Sequence, residues 1–268
     1  MKKLLSSVLL GASVLALAAC SSDEETLKVG ASNTPHALIL EQVAPILKEQ
    51  GIELEIEPYT DYVLPNKDLD EGNLDANYFQ HIPYFETQIA DFDYDFANAG
   101  EIHIEPIGVY SKKYKTLEEL PKGALVLLSN SVADHGRMLS LLEAKGLITL
   151  KDGVDKTTAE IKDIIDNPKD LVFDYNTAPE LLVQMYENDE GDAVLINSNH
   201  AIDHGINPQE DSIAIESSDE SPYINIVAVK SGNEKSKEIK ALVDALHSKE
   251  IQDFMLEQWG GSVVPVVK

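Results

Sequence analysis

The amino-acid sequence predicts an α/β fold in which helices flank mixed, mainly parallel sheets. From Leu27 onward, strand-like and helix-like hydrophobic patterns alternate along the chain. Apolar runs as long as a buried strand occur at residues 124–129, 193–196 and 224–229. The segments between these runs carry residues that begin and end helices. Strands that alternate with helices are typical of layered α/β domains.

The first elements follow this alternation. Thr34-Pro35 has the composition of a helix start, and Gly51 is a suitable end for the same helix. At residues 52–57, apolar and acidic residues alternate with a period of two. This pattern predicts a strand with one exposed face directly after the helix.

Later helix starts are predicted from capping signals. The spacing of a capping box occurs at Thr116…Glu119 and again at Thr157…Glu160. Near the C-terminus, apolar residues at helical spacing predict a helix with one buried face. These residues are Ile239, Leu242, Val243 and Leu246.

Length and charge limit the classes of function. A chain of 268 residues is long enough for two lobes of roughly 100–150 residues each. Its 21 basic and 47 acidic residues give a formal net charge of −26. Such a surface repels nucleic acid, so we expect no nucleic-acid partner.

The N-terminus has the pattern of an export signal that is followed by a cysteine. A short basic head precedes the apolar residues 4–19, a run shorter than the about 20 residues that cross a membrane. Two alanines then precede Cys20, the one cysteine of the chain. The pattern predicts a signal peptide at residues 1–19 that is cleaved. It also resembles the bacterial lipobox, so we expect a lipid on Cys20 and a polar tether at residues 20–26.

Motifs of catalysis are absent from the sequence. It contains no glycine-rich phosphate loop, no G-x-S-x-G elbow and no H-E-x-x-H motif. The single cysteine is assigned to the anchor, which leaves no thiol for catalysis. We therefore expect a protein that is not an enzyme and that needs no cofactor.

Histidines keep a second function open. His200 and His204 are four residues apart, so a helix would place both on one face, with Asp203 nearby. Imidazoles suit zinc or manganese, and the alternative function is therefore a metal-binding lipoprotein of a metal ABC importer. The same pair also suits two surface histidines on a short helix. Other histidines are scattered along the chain, at His36, His81, His103 and His135.

Arg137 is the one arginine among 21 basic residues. Its planar guanidinium can hold a carboxylate with two parallel hydrogen bonds, which a lysine cannot do. It follows a predicted strand, at the start of a predicted helix, where anions are favoured. Two interpretations stay open here: Arg137 binds an anionic ligand, or it pairs with one of the many acids.

Other polar and aromatic residues follow predicted strands. Asn130 and Asn197 each come directly after one, and ligands of α/β sheets gather at such strand ends. An asparagine can accept from an ammonium or donate to a carboxylate. Residues 59–84 are unusually aromatic for this chain, and the rings could form either core or a ligand pocket. They include Tyr62, Tyr78, Phe79 and Tyr84, together with His81.

These residues form a pattern that resembles the MetQ/NlpA family of methionine-binding lipoproteins. The likeness is carried by the segments DYVLPN at 61–66, DANYFQHIPY at 75–84 and YSKK at 110–113. It continues through Asn130…Gly136-Arg137, then AVLIN at 193–197 and SPYIN at 221–225. Together these segments span essentially the whole mature chain in order.

The resemblance implies a two-lobed, type II periplasmic-binding-protein-like fold and an extracytoplasmic lipoprotein that delivers methionine to an ABC importer. L-methionine, D-methionine and a methionine dipeptide stay open as ligands. It implies that rings surround the methionine side chain, at Tyr62, Phe79, His81 and Tyr84. It further implies that Arg137 binds the carboxylate and that Asn197 and Asn225 bind the amino-acid head group, with Asn130 as another ligand-binding residue.

The two lobes require two passages of the chain between them. Long strand-like runs at residues 102–111 and 223–229 are the expected crossings. We expect lobe 1 to comprise residues 27–108 and 226–268, and lobe 2 to comprise residues 109–225. The lipid on Cys20 would hold the protein at the outer face of the cytoplasmic membrane.

Overall fold

The structure is a computed structural model that describes residues 25–219 and 221–266. The predicted signal peptide and Cys20 lie outside the described residues. The strands are β1 Glu25–Ser32, β2 Ile52–Tyr59, β3 Ala76–His81, β4 Phe96–Ile104, β5 Gly108–Tyr110, β6 Leu125–Ser129, β7 Thr149–Leu150, β8 Ile164–Asp166, β9 Val172–Thr177, β10 Ala193–Ile196, β11 Ala214–Ile215, β12 Ile224–Lys230 and β13 Val264–Pro265. The helices are α1 Leu38–Lys48, α2 Leu64–Glu71, α3 Ile82–Phe92, α4 Val132–Ala144, α5 Leu182–Glu187, α6 Ser198–Asp203, α7 Pro208–Asp211, α8 Lys237–Leu246 and α9 Lys249–Trp259.

In the described part of the chain, two large sheets form the centres of two lobes. The first sheet has the strand order β13-β4-β12-β3-β1-β2, and the second has the order β11-β5-β10-β6-β9. Strands β7 and β8 form a small separate ribbon. Helices flank the sheets, so the predicted two-lobed α/β architecture is confirmed.

Both sheets are mixed, as predicted, but parallel pairs are not the majority. In the first sheet β1 is parallel to β2 and β3, whereas β12 is antiparallel to β3 and β4, and β13 to β4. In the second sheet β6 is parallel to β9 and β10, whereas β5 is antiparallel to β10 and β11. The antiparallel pairs involve the strands that lead into or out of the passages between the lobes.

The chain passes between the lobes at residues 105–107 and again between β11 and β12. The first passage lies inside the expected segment 102–111. The second was expected at residues 223–229, but most of that run is β12 in the centre of the first sheet. A long apolar run is what a central strand needs, which explains the misplacement. The residue bounds of the lobes stay a prediction.

Strand β1 begins at Glu25, so it includes the last two residues of the segment that was expected to be a tether. Glu25 and Thr26 pair with Ile52 and Glu53 of β2, so they belong to the sheet. A π-helical turn at Asn33–Ala37 leads directly into α1, and Thr34 has extended backbone angles (φ −138°, ψ 134°), so Thr34-Pro35 lies at the start of this helical segment, as predicted. Within the described residues, no helix is long and apolar enough to span a bilayer.

Neither of the two capping-box signals begins a long helix. The first leads into the short 3₁₀ turn Leu117–Glu119. The second is wrong, because the Asp155 side chain accepts hydrogen bonds from the backbone N–H and hydroxyl of Thr157 and holds a turn there. A capping box forms instead three residues later, between Glu160 and Asp163.

The helices pack on the sheets through apolar faces. In α8, the predicted face is buried in the first core, which it shares with α1 and α9. Ser236 caps this helix by accepting from the backbone N–H of Ile239. Burial of each such aliphatic side chain contributes about 1.5–3 kcal/mol.

Helix α4 packs on the second sheet and carries Arg137. Its residues Met138, Leu139 and Leu142 are fully buried in the second core. A Cβ added at Gly136 would overlap the backbone oxygen of Lys156, so only glycine allows this close approach. The packing fixes the position of the neighbouring Arg137.

Candidate functional site

A cleft between the two lobes brings together side chains from distant parts of the sequence. Its empty space is about 390 Å³, counting the part open to solvent. The lining residues lie at the carboxyl ends of β3 and β10, in the first turns of α3 and α6, in the first two turns of α4, at the start of β12, before α2 and in the first crossing. They are Tyr62, Phe79, Gln80, His81, Tyr84, Glu105, Asp134, Arg137, Asn197, Ser198, Asn199 and Asn225.

Arg137 is buried and bound to both crossings. Its Nη2 donates to the backbone carbonyl of Glu105 at 2.7 Å and to the Glu216 carboxylate, and its Nε donates to the same carboxylate at 3.2 Å. The ring of Tyr223 lies 4.5 Å from the guanidinium carbon. Nη1 has no hydrogen bond to a described residue, and its contact with Asp134 is 3.8 Å long. Arg137 therefore pairs with an acid and also lines the cleft.

Asp134 is a buried carboxylate held by His81. Nε2 of His81 lies 3.0 Å from Asp134 Oδ1, while Nδ1 of His81 accepts from the backbone N–H of Tyr84. The proton therefore resides on Nε2, which donates to Asp134. Burial works against ionisation, but the hydrogen bond from His81, then Arg137 and Asn197, lower the pKa of Asp134 to about 2. Asp134 is ionised at neutral pH and can only accept.

The hydrogen-bonded pair of His81 and Asp134 fixes the orientation of the Asn197 amide. Because Asp134 only accepts, Asn197 turns its Nδ2 toward it, at 3.3 Å. The other amide atom, Oδ1, is buried and has no hydrogen-bond partner among the described residues. An unsatisfied buried acceptor costs about 1–3 kcal/mol. Asn197 therefore offers an acceptor to a ligand donor.

The orientation of the Asn225 amide is fixed in the same way by His36. His36 Nε2 lies 3.3 Å from the Glu105 carboxylate and 3.1 Å from the Asn225 Oδ1. Burial lowers the pKa of His36 to about 4, and its Nδ1 accepts from the Ser32 hydroxyl. Nε2 is then the donor, so Asn225 presents its oxygen to the ring and keeps Nδ2 for other partners.

Rings form one wall of the cleft. Tyr62 stacks on His200 with the ring centres 4.9 Å apart and packs near Phe79 and Tyr84, at 6.1 and 5.9 Å. The Tyr62 hydroxyl donates to Asn199 Oδ1 at 2.7 Å, and the Tyr84 hydroxyl donates to the Tyr62 carbonyl at 2.8 Å. These bonds fix the rings, which leaves an apolar surface of set shape.

The structure brings seven of the eight predicted ligand-binding residues to this cleft and leaves one outside. Asn130 is exposed in the link between β6 and α4, and its backbone N–H donates to the carbonyl of Thr177. It adjoins two neighbouring grooves instead. A residue that follows a strand can point either toward or away from the sheet edge, and its position in the sequence does not decide which.

Several lining residues were not predicted. Asp134 lies one helical turn before Arg137 in a run already singled out, so its helical spacing was an available signal. His200 is not itself a lining residue; it was considered as a metal ligand or a surface histidine, although it is buried and stacks on Tyr62. Glu105, Ser198 and Asn199 carry no local signal, because their position depends on how the first crossing and α6 meet.

The predicted metal pair is not brought together as ligands. His200 is buried against Tyr62, whereas Nδ1 of His204 donates to the backbone carbonyl of His200 at 2.9 Å. Among the described residues, the one group with metal-ligand spacing is His36, His103 and Glu105. Nε2 of His103 is 2.7 Å from the Glu105 carboxylate, which is a hydrogen-bond distance. This geometry does not favour the metal alternative.

Comparisons with known proteins agree with this fold. The model of the NlpA lipoprotein family matches residues 27–267. A methionine-binding lipoprotein MetQ of Bacillus subtilis is 48% identical, with 99% of each chain covered. The structure of a pheromone precursor/lipoprotein of Enterococcus faecalis has 53% identity and a TM-score of 0.88, covering 90% of this chain and all of that one.

A further solved structure is informative because of its ligand. A nutrient-binding protein of Burkholderia cenocepacia, solved bound to methionine, has 38% identity and a TM-score of 0.84. The alignment covers 89% of this chain and 99% of that one. The extent of these matches leaves one conclusion: the chain belongs to the NlpA lipoprotein family.

Proposed function

We propose that this protein binds methionine in the interlobe cleft and delivers it to an ABC importer. The observation that carries the proposal is the combination of three features in one cleft. These are a free guanidinium nitrogen of Arg137, an unpaired buried acceptor on Asn197 and a wall of fixed rings. An amino acid with an apolar side chain needs all three. The relatives' names and the methionine-bound structure support the same ligand.

The polar groups assign the two ends of the ligand to different residues. The carboxylate contacts Nη1 of Arg137 and Nδ2 of Asn225, which are both donors. The ammonium contacts Oδ1 of Asn197, which is an acceptor. Because Nε and Nη2 of Arg137 are bound to Glu216 and Glu105, the proposed contact uses one nitrogen rather than the expected pair.

The thioether lies against the aromatic wall. Sulfur–ring contacts contribute about 0.3–1.5 kcal/mol each. Tyr62, Phe79 and Tyr84 are held at ring distances of about 6 Å from one another, so a side chain between them meets more than one ring. This arrangement favours methionine over smaller amino acids. It does not by itself distinguish the L form, the D form and a short methionine peptide.

The protein binds its ligand without transforming it. Ser198 is the one serine of the cleft lining. Its hydroxyl donates a hydrogen bond to the carbonyl of Pro106 rather than to a base that could activate it as a nucleophile. His81 is held between a backbone N–H and Asp134. The family is one of lipoproteins, and the function proposed here is transport.

Membrane attachment completes the proposal. The signal peptide at residues 1–19 is removed, and the lipid on Cys20 holds the protein at the outer face of the cytoplasmic membrane. The sequence signals support this location, and so do the lipoprotein names of the relatives. The permease and ATPase of an ABC importer are the proposed partners.

The test is calorimetric titration of the protein without residues 1–20. Methionine should bind with a 1:1 stoichiometry, norleucine more weakly and alanine much more weakly. A thermal-shift screen with zinc and manganese is the comparison arm. Stabilisation by these metals with no response to methionine would refute the proposal and restore the metal alternative.

A further inference from the structure

Glu105 lines the cleft from the first crossing between the lobes and is 6% exposed. Its Oε1 lies 2.7 Å from Nε2 of His103 and 3.3 Å from Nε2 of His36. A carboxylate has about four acceptor sites. The hydrogen bond from His103 therefore leaves acceptor sites of Glu105 for a ligand.

The two histidines are neutral donors. Burial lowers the pKa of His36 to about 4 and that of His103 to about 3. Their Nδ1 atoms face the hydroxyls of Ser32 and Tyr78, which act as the donors on that side. Each ring therefore keeps its single proton on Nε2. That of His103 is directed at Glu105, whereas that of His36 is directed at Asn225 Oδ1, with the Glu105 carboxylate 3.3 Å from the same nitrogen. The rings orient the carboxylate but do not neutralise its charge.

Among the described residues, no lysine or arginine lies within ion-pair distance of this carboxylate. Arg137 donates to the backbone carbonyl of Glu105, while its charge is paired with Glu216. Burial raises the pKa of Glu105, as expected for a carboxylate held mainly by neutral groups. A buried charge without a counter-ion is unfavourable by several kcal/mol. A positive group in the cleft would remove this cost.

Asp134 is the other carboxylate that lines the cleft, and it differs from Glu105 in the groups that stabilise its charge. It accepts from His81 and Asn197, and the guanidinium of Arg137 lies 3.8 Å away. These contacts lower its pKa to about 2, so its charge is already stabilised inside the protein. Glu105 is the carboxylate that lacks such compensation.

We propose that Glu105 selects ligands with a free ammonium group, and that His36 and His103 position its carboxylate for that contact. The proposal rests on the function proposed above, because it assigns a specificity residue within the same cleft. The ammonium lies between the Glu105 carboxylate and Oδ1 of Asn197. Amino acids with a blocked or missing amine are rejected, since they leave the buried charge of Glu105 unpaired.

The test compares two ligands on matched variants by calorimetric titration. The ligands are methionine and desamino-methionine, which has the same carboxylate and thioether but no amine. Glu105→Gln keeps the shape and an acceptor for His103 while it removes the charge. We expect about a tenfold to hundredfold loss of methionine affinity and less than about a threefold change for desamino-methionine. Glu101→Gln, on β4 and outside the cleft lining, is the control for net charge and should change neither affinity.

Two further variants test whether His103 positions the Glu105 carboxylate. His103→Leu removes the donor to Glu105 and should lower the affinity for methionine more than that for desamino-methionine. His103→Gln, whose amide can donate, should restore part of the difference.

The outcomes separate the two proposals. Equal losses for both ligands in Glu105→Gln would overturn the selection role and leave Glu105 a structural residue. Failure of the unaltered protein to bind methionine would instead refute the proposed function.

Discussion

Arg137 donates a hydrogen bond of 2.7 Å from its Nη2 to the backbone carbonyl of Glu105. The same nitrogen also donates to Glu216, so a single guanidinium on α4 is bound to both crossings between the lobes. These crossings are where closure around a ligand must bend the chain. Arg137, which is proposed to bind the ligand carboxylate, is thus also hydrogen-bonded to both segments that connect the lobes.

Arg137→Lys should therefore weaken methionine binding by about tenfold to a hundredfold, although the charge is kept. A lysine ammonium cannot reach Glu105, Glu216 and a ligand in the planar geometry that the guanidinium provides. The loss should be the same for norleucine, because the carboxylate is common to both. Calorimetric titration with the two ligands measures it. Unchanged affinity would mean that Arg137 serves the crossings alone.

Tyr62→Ala should reduce methionine affinity about tenfold and leave the weak affinity for alanine nearly unchanged. The variant removes ring contacts with the thioether, worth about 0.3–1.5 kcal/mol each, together with apolar surface. Phe79→Ala should act in the same direction. Tyr62→Phe is the matched control, since it keeps the ring and removes only the hydroxyl bond to Asn199. A parallel loss for methionine and alanine in Tyr62→Ala would place the side-chain pocket elsewhere.

His200 makes stability depend on pH. Burial lowers its pKa from 6.5 to about 4, and its Nε2 has no partner among the described residues. Between these two pH values the unfolded chain binds more protons at this site than the folded protein. Stability from this group is therefore complete above pH 6.5 and is lost as the pH falls toward 4.

His200→Phe should reduce this loss while it keeps the stack on Tyr62. We expect the drop in Tm between pH 7 and pH 5 to be a few degrees Celsius smaller in the variant. Calorimetric scans of both proteins without ligand provide the measurement. Identical drops would show that His200 is not the titrating group.

Cys20→Ala should release the protein from membranes without changing methionine affinity. The proposed methionine site lies in the cleft between the lobes, whereas the proposed lipid on Cys20 precedes β1 in the sequence. Fractionation of cells that express the variant, followed by titration of the released protein, checks both statements. Retention of the variant in the membrane fraction would contradict the lipid anchor as the sole attachment.

Several features of the fold and of the candidate site can be predicted from the sequence alone. The alternation of patterns predicts the α/β lobes, because hydrophobic period is set by local geometry of helices and strands. The apolar face of α8 and the aromatic residues after β2 are recognised for the same reason. Arg137 is the one arginine in a lysine-rich chain, so the sequence alone identifies it as a candidate functional residue. Its neighbour Asp134, one turn away, was within reach of the same reasoning.

The tertiary structure decides which distant groups meet. Glu216 is 79 residues from Arg137, and Asn225 is 189 residues from His36, so no local pattern connects them. With 47 acidic residues, the sequence does not rank Glu105 and Glu216 above the others. The direction of Asn130 likewise depends on its backbone bond to β9. Periodicity is a local property of the chain, whereas the path of the two crossings determines which side chains enter the cleft.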